Sequence, residues 1–387
     1  MSDVCFVSGG RVWRVVGGEG EPGELACPFI EGMQRREASI VQRNAWKMQG
    51  SGAKFMGGGV PRGAMAADHA MAAGALTDVS CGRSDGEILY VVQGESVTGI
   101  LALGEDGTES RLYHTNDYRF DQVAASADSA LLACSSRHPS GTSHIVVMER
   151  SGARPRQVTD GDVIDSSPRW VPGSRALVYQ SSGIARDPSG MVRGTSPSVI
   201  CRLDLERGET TTVATSEGYD LLSPLTTADG SLWYVRRPRP VPRAFSWTVV
   251  LKDIVLFPWR VGVAIFGWLD FFSRRYGGKA LSSGGPPSEG PELRHLLLQG
   301  NVVDAENALR DSAHAGDPVP GVAPQSWELV RRDAAGMSVV SRGVLGFDVD
   351  GDGSVILSNG RAILRQTADG NKSVIATVAG VERLAVT

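Results

Sequence analysis

Three aspartates near the C-terminus are the side chains of this sequence best spaced to bind a metal ion. Asp348, Asp350 and Asp352, followed by Gly353, match the first half of an Asp-x-Asp-x-Asp-Gly calcium loop. The twelfth position of such a loop requires a bidentate glutamate, and this chain has Asn359 there. The three aspartates are therefore weak metal candidates. The six histidines show no ligand spacing, and we predict no cofactor.

Two glycine-containing strings match catalytic or phosphate-binding motifs, but their context excludes both chemistries. Residues 82–86 read Gly-x-Ser-x-Gly, the nucleophile elbow of serine hydrolases, which must connect a strand to a helix. Here the strand-like run EILYVV follows instead. Residues 18–23 read Gly-x-Gly-x-x-Gly, yet they contain two glutamates and lead into a strand rather than a helix. Both strings are better interpreted as turns, and no catalytic residue is predicted.

A third set of carboxylates recurs along the chain. Asp78, Asp121, Asp165 and Asp220 each begin a strand-like run that is followed by a tight turn and an apolar strand. At the starts of inner strands they would surround one mouth of a central channel. Two interpretations stay open: the carboxylates cap turn amides, or they form an electronegative mouth for a cation or a basic peptide.

The spacing of these phrases, roughly 40–50 residues, indicates a repeat architecture. Each repeat reads as four short strands separated by Asp-Gly, Gly-Ser or Arg-Gly turns. The chain ends on a lone strand and begins with three, so we expect both ends to complete one blade. The sequence predicts an all-β, seven-bladed β-propeller over residues 1–387, or a six-bladed one if residues 37–77 are only a decorated insertion.

The string SSPRWVPGSRALVYQSS resembles the TolB-type (WD-like) β-propeller repeat, which reads roughly Asp-x-x-Pro-x-Trp-x-Pro-Asp-Gly before an apolar strand. The resemblance covers most of residues 37–235 and 343–387. It implies a propeller that serves as a protein-interaction platform, often near a bacterial envelope. No export signal is visible at the N-terminus, so a periplasmic role is not carried over.

Composition supports a cytoplasmic location and excludes one class of partner. The net charge of −4 argues against nucleic-acid binding, which usually requires a basic face. The five cysteines are scattered without paired spacing, which suits a reducing compartment.

Residues 236–326 interrupt the repeat between two strands of one blade and are predicted to be a helical insertion. Within 244–272 no uncharged stretch exceeds about 9 residues, too few for a bilayer span of about 20. On a helix the four charges fall within roughly 100°, opposite a wide apolar face. The docking residues we predict on that face are Phe245, Trp247, Val250, Ile254, Phe257, Trp259, Ile265, Phe266, Trp268, Phe271 and Phe272.

Basic residues flank the apolar segment on both sides, which favours the cytoplasmic membrane face for both of its ends. The segment is predicted to lie in the membrane interface, with packing against a protein partner or the propeller as alternatives. A further helix is predicted from Glu292 to Ala313. The basic flanks are Arg236, Arg237, Arg239, Arg243, Arg274 and Arg275.

These patterns predict a non-catalytic binding or scaffold propeller. It would be docked peripherally on the inner membrane face, or on an integral-membrane partner, through the insertion. The alternative is a propeller enzyme of the lyase or hydrolase type that uses the channel mouth. Such a site would gather His, Arg and acidic residues at the inner-strand starts, where this sequence supplies aspartates.

Overall fold

The computed structural model describes residues 2–36, 39, 75–82, 86–94, 97–239 and 295–387. The apolar docking residues predicted within 244–272 lie outside this part of the chain, as do Arg243, Arg274 and Arg275. Residues 37–77, assigned above to an uncertain blade, also lie largely outside it.

The first half of the described chain forms four-stranded antiparallel sheets built from consecutive strands. Sheet I joins both ends of the chain: β27 (Leu384–Val386), β1 (Val4–Ser8), β2 (Arg11–Val15) and β3 (Gly23–Leu25). Sheet II contains β4 (Ala75–Cys81), β5 (Ile88–Gln93), β6 (Thr98–Leu103) and β7 (Glu109–Thr115). Sheet III contains β8 (Arg119–Ala125), β9 (Leu131–Arg137), β10 (Ser143–Glu149) and β11 (Arg156–Gln157).

The second half repeats the pattern. Sheet IV contains β12 (Val163–Trp170), β13 (Ala176–Arg186), β15 (Val199–Asp204) and β16 (Glu209–Ala214), with β14 (Val192–Thr195) paired to the far end of β13. Sheet V contains β17 (Tyr219–Thr226), β18 (Leu232–Pro238), β21 (Glu328–Asp333) and β22 (Gly336–Arg342). Sheet VI contains β23 (Gly346–Val349), β24 (Val355–Ser358), β25 (Ile363–Gln366) and β26 (Lys372–Ala376).

Three shorter elements accompany the sheets. Residues 28–36 are helical (α1), and Val16–Gly18 form a short 3-10 turn. A two-stranded hairpin, β19 (His295–Leu298) and β20 (Asn301–Asp304), leads into helix α2 (Ala305–His314). A single parallel residue pair, Ser143 with Ile164, connects sheets III and IV.

Apolar side chains fill the space between each sheet and the next. Phe120 and Leu132 of sheet III pack on Leu89 of sheet II, and the same arrangement recurs along the chain. Separate clusters join I to II, II to III, III to IV, IV to V, V to VI and VI to I. Burial between sheets is the main favourable contribution to such a fold, because no sheet has a core of its own.

The recurring turn aspartates explain why the strands end where they do. Asp128 accepts hydrogen bonds from the Ser126 hydroxyl (2.6 Å) and the Ala130 amide (3.1 Å). Asp229 does the same with Thr227 (2.5 Å) and the Ser231 amide (3.1 Å). Short polar side chains that satisfy their own turn in this way define the hairpins between first and second strands.

One local prediction was wrong over part of its length. Residues 295–304, expected to be helical, form the β19–β20 hairpin because Gln299 (φ 45°) and Gly300 (φ 76°) make a left-handed two-residue turn. The predicted helix exists only from Ala305, where Asp304 accepts the Asn307 amide (3.1 Å) as N-cap. The segment after Gly183 extends β13 and pairs it with β14.

The ends of the chain meet in sheet I, where Val4 pairs with Val386 and Phe6 with Leu384. The insertion separates neighbouring strands, since Arg236 of β18 pairs with Glu328 of β21. Six four-stranded units are present among the described residues. Seven blades are therefore not confirmed.

Candidate functional site

Each sheet contributes one inner strand to a common axis. The six inner strands run in the same direction and are β27, β4, β8, β12, β17 and β23. The start face is defined here as the end at which β27, β4, β8, β12, β17 and β23 begin. The turn face is the opposite end, at which these strands finish and the aspartate turns follow. Loops between second and third strands lie on the start face.

A cavity of about 780 Å³ opens on the start face and is called the start mouth. Its wall carries two pairs of opposite charge, Asp121 with Arg137 and the adjacent Glu382 and Arg383. Arg137 donates to Asp121 at 2.9 Å. Backbone from three tight turns, around Gly9, Gly141 and Gly380, completes the rim. Its volume is within the range of ligand-binding cavities.

Below the start mouth the axis narrows to a cavity of about 40 Å³ lined by Asp78, Arg169, Asp348 and Arg383. This volume holds no more than a few water molecules. Burial raises the pKa of Asp78, although Arg383 and the Val123 amide oppose the shift. Burial disfavours the charge of Arg169, but Asp348 and Asp78 outweigh it and raise the pKa of the guanidinium. These four charged side chains, called the plug, separate the two ends of the axis.

A second cavity, of about 720 Å³, opens on the turn face. Trp170 forms part of its wall and donates its indole N–H to the Ala124 carbonyl (3.0 Å). The turns around it are acidic. Hydrogen bonds from hydroxyls and amides of their own turns lower the pKa of Asp106, Asp128, Asp204, Asp229 and Asp352. These carboxyl groups are therefore ionised at neutral pH, and arginines of the same face, including Arg175 and Arg202, lie beside them.

The structure does not bring the four repeated aspartates together at one mouth. Only Asp121 lines the start mouth, while Asp78 belongs to the plug. Asp165 is 2% exposed, and one of its oxygens has no hydrogen-bond partner among the described residues. Asp220 accepts the Ser198 amide (3.0 Å) and pairs with Arg237 (3.4 Å).

A different recurring contact joins neighbouring sheets beside the axis, and it was not predicted. Side chains of one sheet accept an amide N–H from the inner strand of the next: Asp78 from Val123 (3.0 Å), Gln122 from Ser167 (2.5 Å), Gln180 from Ser223 (2.8 Å) and Asp348 from Val386 (3.1 Å). We call these contacts tethers. Ser167 (φ 52°) and Ser223 (φ 51°) are left-handed and each precedes a proline. The repeated Ser-Pro pair was the available sequence signal.

The three weak metal candidates are engaged by hydrogen bonds and ion pairs within the protein. Asp350 accepts the Ser2 hydroxyl (2.7 Å) and pairs with Arg365 (3.3 Å), while Asp348 serves as a tether. Asp352 bonds Ser354 and Arg365. Within the described ranges, no three His, Cys, Asp or Glu side chains are arranged to hold a metal ion.

The described members of the basic flank are engaged within the sheets. Arg236 pairs with Glu328 (2.5 Å), and Arg237, which is 9% exposed, lies over the Trp327 ring at 5.2 Å. Arg239 pairs with Asp220 (3.4 Å) and reaches Thr195 of β14. Arg236 and Arg237 are therefore not free to contact an anionic surface.

Two elaborations share the start face with the start mouth. The chain leaves sheet V after β18 at Arg239, and it returns to sheet V at β21, both at this face. The β13–β14 hairpin of the neighbouring sheet also projects here, with Met191 (65% exposed) near its tip. No helix within the part of the chain that the structure describes is long and apolar enough to cross a membrane.

Comparisons with known proteins identify the fold. No protein-family model matches the sequence, and no curated protein matches it. TolB from Acinetobacter baumannii matches the structure with a TM-score of 0.53 and 11% identity, over 100% of this chain and 66% of that one. A chain of a nidogen/laminin complex matches with a TM-score of 0.53 and 8% identity, over 100% and 98%. The chain has a β-propeller fold similar to that of TolB, which confirms the resemblance predicted from the repeats.

Proposed function

We propose that this protein is a non-catalytic, protein-binding propeller that engages its partner through the start face. The observation that carries this proposal is the coincidence on one face of the start mouth, the β13–β14 hairpin and both ends of the insertion. Rigid scaffolds that present loops around a concave centre are suited to binding. One similar structure is itself a protein–protein complex, of nidogen with laminin.

The ring in this proposal has six blades, sheets I to VI, closed by the pairing of β1 with β27. The apolar clusters between neighbouring sheets, including the cluster between VI and I, support this arrangement. Such closure leaves no long unpaired edge between the first and last blades. The part of 37–77 that precedes β4 would then be a decorated insertion between sheets I and II, which pack directly on each other.

A finer proposal concerns location. The apolar residues of 244–272 dock the ring on the cytoplasmic side of a membrane, either on lipid or on an integral-membrane partner. The position of the insertion supports an approach by the start face, because the chain leaves and re-enters sheet V at that face.

Replacing residues 244–280 with a Gly-Ser linker tests the docking proposal. The intact protein should sediment with liposomes containing anionic lipid, less so at high salt, and the replaced form should stay in solution. Binding that is salt-insensitive and needs added membrane protein would point to the partner rather than lipid. Equal solubility and equal membrane fractionation of both forms would contradict docking.

A further inference from the structure

The junction between sheets V and VI differs from its neighbours. Tethers join neighbouring sheets at II–III, III–IV, IV–V and VI–I, and at I–II the Cys81 thiol donates to the Val386 carbonyl (2.7 Å) instead. Between β17 and β23 the described residues form no hydrogen bond. The seam has an apolar cluster around Phe347, and Gln366 donates to the Val340 carbonyl (2.8 Å) near its outer edge.

The returning part of the insertion, residues 295–327, bridges this seam from the start face. It continues covalently into β21 of sheet V and is held non-covalently to sheet VI. The Val322 and Ala323 amides donate to the Asn359 carbonyl (3.0 and 3.1 Å), and the Asn359 side chain donates to the Val319 carbonyl (2.7 Å). Lys372 pairs with Asp317 at 2.7 Å. Residues 295–327 are called the clasp below.

Apolar packing and a contact at the channel complete the clasp. Leu298, Val303 and Ala308 pack with Leu345, at the start of sheet VI. The Gln299 side chain donates to the Leu345 carbonyl (2.8 Å). The backbone N–H of Gln299 donates to the carboxylate of Glu382 (3.4 Å), which lies in the wall of the start mouth. The hairpin tip therefore connects the insertion to the channel rim.

We infer that the clasp takes the place of the missing tether, and that the V–VI seam is where the ring opens when the clasp is released. A load on the insertion reaches the ring at two points, at Arg239 after β18 and through β19, and only β19 belongs to the clasp. Opening at this seam would remove the Gln299 contact from Glu382 and reshape the start mouth. This inference concerns the ring itself and does not depend on what the mouth binds.

Gly321→Ala is the variant that tests the clasp. A Cβ at Gly321 would lie 2.6 Å from the Asn359 carbonyl oxygen and 2.5 Å from its Cγ, so the clasp must move away from sheet VI. Gly351→Ala, in a turn of the same sheet with nothing within 4 Å of the added Cβ, is the matched control.

Opening is measured by alkylation of a thiol introduced through Val355→Cys, at the turn-face end of the V–VI cluster and away from the clasp. Native Cys134, buried at the II–III junction, is the internal reference. Gly321→Ala should accelerate alkylation at position 355 by about tenfold while Cys134 stays protected. Lys372→Met removes only the ion pair with Asp317 and should accelerate alkylation at position 355 by a smaller factor. This variant replaces Gly321→Ala in the test if Gly321→Ala does not fold. Equal acceleration at both thiols, or none at position 355, would overturn the inference.

Discussion

The two ends of the channel axis have cavities of similar volume but different construction. The start mouth pairs its charges across its wall and shares its face with both ends of the insertion and with the β13–β14 hairpin. The turn face concentrates carboxylates that their own turns hold ionised. The difference shows that the repeat itself builds the turn face. Departures from the repeat build the start face, which is why we assign binding to the start face.

The plug separates these two ends, and disrupting it should have the largest effect on the stability of the protein. Arg169→Met would leave Asp78 and Asp348 buried with one cation fewer. We expect a loss of about 3 kcal/mol in the free energy of unfolding at pH 7, measured by urea denaturation. Arg175→Met, on the exposed rim of the turn-face cavity, is the control and should change stability by less than about 0.5 kcal/mol. If Arg169→Met lowered the free energy of unfolding as little as Arg175→Met does, the plug would contribute nothing to stability.

Loss of a tether should have the next largest effect on stability. Gln180→Ala removes the acceptor of the Ser223 amide at the IV–V junction, and it should cost about 1 kcal/mol because that half-buried amide loses its partner. Gln157→Ala, on exposed β11, is the matched control. Similar unfolding midpoints for the two variants would mean that water satisfies the Ser223 amide.

The pH dependence of stability should differ in sign between the plug and the turn face. Burial raises the pKa of Asp78, so its contribution is present below the unfolded pKa, near 4, and is lost as pH rises through the folded value. Asp78→Asn should therefore remove a decline of stability with rising pH. Hydrogen bonds lower the pKa of Asp128, so Asp128→Asn should instead remove a loss that develops as pH falls. Urea midpoints between pH 3 and 8 measure both, and matching slopes for the two variants would contradict this assignment.

The smallest effect expected is on membrane association. Asp128→Asn with Asp204→Asn reduces the charge of the turn face only. If the start face approaches the membrane, sedimentation with anionic liposomes should change by less than about twofold, because those charges lie beyond the screening length. A several-fold gain in binding would place the turn face against the lipid.

Much of the sheet architecture could be predicted because each strand is short, apolar and ended by a turn aspartate. The β19–β20 hairpin was missed since Leu296, Leu297 and Val303 fit a helical spacing as well as a strand, and Gln299 is an uncommon residue at positive φ. The tethers were missed for another reason. They join residues about 45 positions apart, and whether Asp78 or Asp121 turns inward depends on register shifts such as the one beside Asp78.

Site-specific photo-crosslinking tests the central claim most directly. A benzoylphenylalanine placed at Ala379, beside the start mouth, is compared with one at Ala335, in a turn on the opposite face; both alanines are exposed. Illumination in cells that express the protein should give a discrete adduct from position 379, lost when residues 244–280 are replaced, and none from position 335. Adducts from position 335 alone, or from neither position, would contradict binding through the start face.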